Sequence, residues 1–112
     1  MERTLGIEDL GKRIMIRFGG TSTLEGVVTE KFSSQNKGWE FLKSLTVICL
    51  RGKNIVEVHK ESAFYIADEE RGKLTLSRFK ISNYIYPDQP YQRECYEYYS
   101  RALKNAGITS AA

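Results

Sequence analysis

Hydrophobic positions change their period along this chain, and the change divides it in two. Over the N-terminal part the period is two. In Arg13-Ile14-Met15-Ile16-Arg17-Phe18, the residues Ile14, Ile16 and Phe18 share one face, and Arg13 and Arg17 point the other way. A short helical turn at 7–10, closed by Gly11, precedes this strand. Gly19-Gly20-Thr21-Ser22 supplies a turn into a second β-rich segment, Leu24 to Phe32, with Gly26 at an expected bend; the two form an antiparallel hairpin.

A polar loop follows at 33–38, and 39–42 is compatible with either strand or helical turn. Leu45 to Leu50 is continuously apolar, the pattern of a strand buried on both faces. Arg51-Gly52-Lys53-Asn54 makes a tight connection into Ile55–His59. Strands at 63–66 and 73–81, joined through Asp68-Glu69-Glu70-Arg71-Gly72, read as a second hairpin.

Beyond residue 87 the period becomes helical. Asp88 or Gln89 can cap a helix with Pro90 in its first turn, where a missing N–H costs nothing. Tyr91, Cys95, Tyr98, Ala102 and Ala106 recur on one side, widened by Tyr99 and Leu103, and Gly107 ends the helix. The expected fold is therefore α+β and mainly β. Residues 1–87 form a small curled β-barrel of five to six antiparallel strands, 88–107 a C-terminal helix on the barrel or on a neighbouring subunit, and 108–112 a frayed tail.

Size and composition fit that picture: 112 residues are enough for one modest core, and 41% hydrophobic with 28% charged is a globular balance. No apolar run approaches the roughly 20 residues that span a bilayer, and the N-terminus lacks a charged-then-apolar leader pattern. A cytoplasmic setting without membrane association is the expectation. Cys49 sits in an apolar strand and Cys95 in the helix, neither with a Cys or His at metal-ligand spacing, so no metal and no cofactor are expected. The single histidine, His59, ends a strand, and no nucleophile has an orienting base beside it in sequence. The glycines at 19 and 20 lack the Lys-Ser/Thr of a phosphate loop. These features favour a binding protein over an enzyme.

A net charge of +3 permits an acidic partner without demanding one. Its distribution is more telling, because Arg71, Lys73, Arg78 and Lys80 occupy ten residues free of acids, directly after Asp68-Glu69-Glu70. Six tyrosines (Tyr84, Tyr86, Tyr91, Tyr96, Tyr98 and Tyr99) lie within 16 residues, more than so small a core can absorb. Tyrosine joins a large contact area to a polar tip, so Tyr91, Tyr98, Tyr99 and Leu103 are the expected contacts with a second copy or a protein partner. Among Arg78, Lys80, Arg93 and Arg101, the same rings could instead stack bases.

Two stretches carry a resemblance. Leu10-Gly11-Lys12-Arg13-Ile14-Met15-Ile16-Arg17-Phe18, then Leu24-Glu25-Gly26-Val27-Val28 and Asn36, resembles the first motif of the Sm-like family of small β-barrels, to which Hfq also belongs. Leu50-Arg51-Gly52-Lys53-Asn54-Ile55-Val56-Glu57-Val58 is similar to that family's second motif. The chain departs from the pattern in lacking the usual aspartate of the first motif and in having only 14 residues between Asn36 and Arg51. The resemblance implies a ring-forming protein that binds single-stranded RNA, with Asn36, Arg51 and Gly52 lining a nucleotide pocket. Asparagine can read a base edge, arginine can stack or bind phosphate, and glycine admits close approach. A homo-oligomer binding RNA or a small nucleotide at Asn36, Arg51, Gly52, Arg78 and Lys80 is thus the first expectation. An adaptor or inhibitor gripping a protein through the tyrosine-rich helix is the second, and a protein sequestering a small nucleotide messenger between subunits is the third.

Overall fold

The computed structural model describes residues 3–18, 22–33, 44–59, 65–66, 68–70 and 73–109. Its strands are β1 (Arg3–Thr4), β2 (Arg13–Phe18), β3 (Ser22–Glu30), β4 (Leu45–Arg51), β5 (Asn54–His59), β6 (Tyr65–Ile66), β7 (Asp68–Glu70), β8 (Lys73–Leu76) and β9 (Lys80–Ile85). One helix, α1 (Arg93–Asn105), follows them, and single 3-10 turns occupy Ile7–Asp9 and Pro90–Gln92. The mainly β fold with a C-terminal helix is as the hydrophobic pattern requires.

Seven strands form one sheet in the order β7-β8-β2-β3-β4-β5-β9, and β1 pairs separately with β6. The sheet ends at β7 and β9, which do not pair with each other, so it is not closed into the expected barrel. It nevertheless curls strongly. Leu74 and Leu76 of β8, near one edge, share a single apolar cluster with Ile81 and Tyr84 of β9 at the other edge. Burying that concave face needs the two edges to approach across the core, and curling achieves this without ladder closure.

Two further departures concern pairing. Strand β8 runs parallel to β2, with Ile14, Met15 and Ile16 opposite Leu74, Thr75 and Leu76, so the sheet is not wholly antiparallel. The expected strand over 73–81 breaks at 77–79, and its second part continues to Ile85 beside β5. The break lets one alternating segment supply apolar side chains at both edges. The hairpin partner of β8 is β7, which places the acidic run Asp68–Glu70 in a strand rather than in a turn.

Each central strand divides its side chains between two cores, as period-two geometry dictates. The concave core holds Ile14, Ile16, Val28, Val47, Cys49, Val56 and Val58. The opposite face contributes Val27, Ile48, Ile55 and Ile85, covered by Tyr99 and Leu103 of α1. Gly26 lies within β3, between Ile14 of β2 and Cys49 of β4, and must be glycine there because the Ile48 carbonyl oxygen sits 2.5 Å from where a Cβ would be.

Helix α1 ends as its sequence dictates. Gly107 adopts φ +78°, and Ile108 N–H donates to the Leu103 carbonyl at 2.9 Å, a Schellman closure. Ile108 is thereby buried against the helix-covered core instead of fraying; residues 110–112 lie outside the described residues. At the other end of the chain, the buried Asp9 carboxylate fixes the entry to β2. Arg3 donates to both its oxygens, at 2.8 and 2.9 Å, and the Gly6 N–H donates at 3.0 Å. The Arg3 guanidinium, against the opposing cost of burial, holds that carboxyl at about 2, below the usual carboxylate range.

Candidate functional site

The candidate site is the rim of the curled sheet where β4 turns into β5. Alternation along β4 puts Arg51 on the same face as Val47 and Cys49, but one step beyond the core, so its guanidinium emerges exposed. Two neighbours hold it. Arg51 Nη1 donates to the Tyr84 hydroxyl at 3.0 Å, and the guanidinium carbon lies 5.8 Å from the centre of the Phe18 ring. A cation over an aromatic face contributes about 0.5–1 kcal/mol at an exposed site, enough to bias one arrangement of a long side chain.

Both neighbours are themselves fixed. Phe18 meets Phe79 edge to face, with ring centres 4.7 Å apart and planes at 83°. Tyr84 lies nearly parallel to Tyr86, at 6.2 Å and 14°. The rim is thus a row of aromatic rings with Arg51 among them: Phe18 from β2, Tyr84 from β9, and Phe79 and Tyr86 from just before and just after β9. Gly52 takes φ +65°, a conformation that a side chain disfavours, and the space where its Cβ would stand is open. Beside it, Leu24, Leu50, Gly107 and Ile108 line an open groove of about 450 Å³.

The expected ligand residues fall as follows. Arg51 and Gly52 sit together at the rim. Arg78 and Lys80 are exposed and flank Phe79, whose ring is anchored on the same Phe18 that faces Arg51. Asn36 lies outside the described residues. Phe18 and Phe79 were not among the expected ligand residues, and Tyr84 and Tyr86 entered only within the group of six tyrosines that could stack bases. Their signal was available: Phe18 ends an alternating strand, where a core residue becomes a rim residue, and Tyr84 and Tyr86 are two apart, a strand spacing rather than a helical one.

The expected interface residues separate. Tyr91 is 81% exposed. Tyr98 is half-buried against Phe32 and Tyr99. Tyr99 and Leu103 are wholly buried on the sheet, so they have no surface left for a second copy.

A second polar cluster lies under α1. Glu57, on the helix-facing side of β5, is only 6% exposed. Its carboxylate accepts a hydrogen bond from the Tyr99 hydroxyl and another from Ser82 Oγ at 3.3 Å, with Lys31 Nζ 3.9 Å away. Ser82 is the extra residue of a bulge, since Glu57 pairs with Asn83 while Val58 pairs with Ile81. The Tyr99 oxygen accepts in turn from the Phe32 N–H at 2.9 Å. Burial, reinforced by the Glu57 hydrogen bond, pushes the Tyr99 hydroxyl far above its ordinary range. Burial also raises Cys95 to about 11, with the Glu57 charge adding to it, and Cys49 to about 12. Thiols raised that far stay protonated at neutral pH and are weak nucleophiles. The cluster's chemistry is that of a satisfied structural knot.

Among the described residues, no three His, Cys, Asp or Glu side chains gather as a metal site would require, and no helix is long and apolar enough to cross a membrane. Comparison with protein-family models, with curated proteins and with solved structures finds no match to this chain.

Proposed function

We propose that this chain is a non-enzymatic, oligomeric binding protein for RNA or a nucleotide-like anionic ligand, engaged at the Arg51 rim. The observation that carries the reading is an exposed guanidinium already aimed by Tyr84 and Phe18. A side chain held in advance loses less entropy when it meets a planar or phosphate group. Exposed Arg78, next to the Phe79 ring that meets Phe18, adds positive charge towards the rim, whereas Lys80 pairs with His59 at the far end of β5; the aromatic row offers faces to bases. The motif resemblance to Sm-like proteins points to the same turn through Arg51 and Gly52.

Fluorescence anisotropy with labelled U-rich and A-rich single-stranded RNA tests it. Both affinities should fall steeply with salt, as phosphate neutralisation requires. Replacing Arg51 by Ala should weaken binding by about 1–3 kcal/mol, the worth of a charge-assisted bond. Absence of binding to either strand at low salt, or a variant that binds as well as the parent, overturns the reading.

One observation favours a second reading, a protein–protein adaptor. Tyr91, at the start of the helical region, exposes most of its ring. Light scattering on the chain alone separates self-association from a contact that awaits a partner.

A further inference from the structure

We propose that Tyr86 is a stacking platform for one base of a single-stranded nucleic acid whose phosphate is held by Arg51, and that Tyr84 is the positioning residue between them. The inference rests on the RNA-binding reading and adds to it the residues that take the base. Tyr86 ends the aromatic row. Its ring lies nearly parallel to that of Tyr84 and the residue is 38% exposed, so the row reaches the surface there. A base continuing the stack would meet a π face, and base–aromatic stacking tolerates every base because each has such a face.

The platform is rigid at its origin. Gln92, in the 3-10 turn before α1, reaches back to the end of β9. Its Oε1 accepts from the Tyr86 N–H at 3.0 Å, and its Nε2 donates to the Tyr84 carbonyl at 2.9 Å. One side chain thus clamps the backbone on both sides of Ile85, whose own side chain is buried in the helix-covered core. The two tyrosine rings are therefore carried on backbone held from both directions. Tyr84 joins the two halves of the site: its ring supports Tyr86 and its hydroxyl accepts from Arg51. A phosphate on the guanidinium and a base on Tyr86 would then be parts of neighbouring or identical nucleotides.

The test compares oligo(A) RNA with an abasic ribose–phosphate strand of the same length, using the parent, Tyr86→Leu, Tyr86→Phe and Tyr84→Phe. Tyr86→Leu should weaken oligo(A) binding at least about five-fold, the low end of one stacking contact. It should leave the abasic strand's affinity unchanged, and Tyr86→Phe should bind both strands like the parent. Tyr84→Phe, which keeps the ring and loses the acceptor for Arg51, should weaken both strands by a similar factor of about three. Unlabelled AMP as competitor distinguishes the source of the nucleotide: displacement at micromolar AMP assigns the platform to a free nucleotide, and persistence of the complex assigns it to a strand. If Tyr86→Leu binds oligo(A) like the parent, or weakens both strands equally, the stacking inference fails and the Arg51 reading stands. If the parent binds neither strand, both fail. Each variant's thermal melt, expected to match the parent's for this exposed ring, establishes that a loss of binding is not a loss of fold.

Discussion

Tyr99 and Tyr84 each set a phenolic hydroxyl against one charged side chain, Glu57 in the first case and Arg51 in the second. The two pairs differ in what surrounds them. Beneath α1, the buried tyrosine and carboxylate and a backbone N–H satisfy one another, and the exposed Ser82 hydroxyl adds a bond at the edge. At the rim the tyrosine accepts only one of the five N–H groups that a guanidinium carries, and the arginine remains exposed. The same residue type is therefore paired inside the fold in one place and pairs with a water-facing charge in the other. The difference is burial, because an unpaired polar group is costly only where water cannot replace the partner.

That contrast can be broken most severely at Tyr99. Tyr99→Ala removes a fully buried ring and should cost about 3–5 kcal/mol of stability by urea unfolding, in the range of other large-to-small core changes. Tyr99→Phe keeps the ring and strips the Phe32 N–H and the Glu57 carboxylate of their shared partner. It should cost about 1–3 kcal/mol.

Alkaline pH sharpens the same point. The Tyr99 hydroxyl ionises near its ordinary value of about 10 in the unfolded chain but well above it in the folded one. Between those values the unfolded state binds fewer protons, so stability is full below about pH 10 and declines above it. The decline attributable to this group approaches about 1.4 kcal/mol per pH unit. Urea unfolding from pH 8 to 11 should show it in the parent and not in Tyr99→Phe; equal slopes would place the tyrosine in contact with solvent.

The smallest expected effect on stability lies at the rim. Arg51→Ala and Tyr84→Phe should each leave stability within about 0.5 kcal/mol, since the groups removed face water. Under the proposed function their effect falls on RNA affinity, and a large destabilisation in either would make the rim a structural device like the Glu57 knot.

Much of the fold was legible because local periodicity is a local property. The alternation Ile14, Ile16, Phe18 could be read from adjacent residues, as could the apolar run from Leu45 and the helical spacing ending at Gly107. The break at 77–79 was not legible, since both pieces carry the same strand-like alternation of polar and apolar residues. Only their different neighbours, β2 for β8 and β5 for β9, require the interruption. The tyrosine cluster was legible as an excess but not as an assignment. Tyr99 and Leu103 were expected at an interface, yet the sheet's second face consumes them, because β4 and β5 need cover on both sides.

For the candidate site the division is sharper. The sequence by itself determined that Arg51 and Gly52 form a turn between two apolar strands, since a residue needing positive φ followed by a new alternation admits little else. It also determined that the C-terminal helix would be amphipathic and would stop at Gly107. Only the tertiary structure decided which rings hold Arg51. Phe18 and Tyr84 each lie 33 positions from it and meet it because the sheet curls, a consequence of the summed demand to bury one concave face. Contacts that arise from such a global compromise leave no mark in the spacing of neighbouring residues.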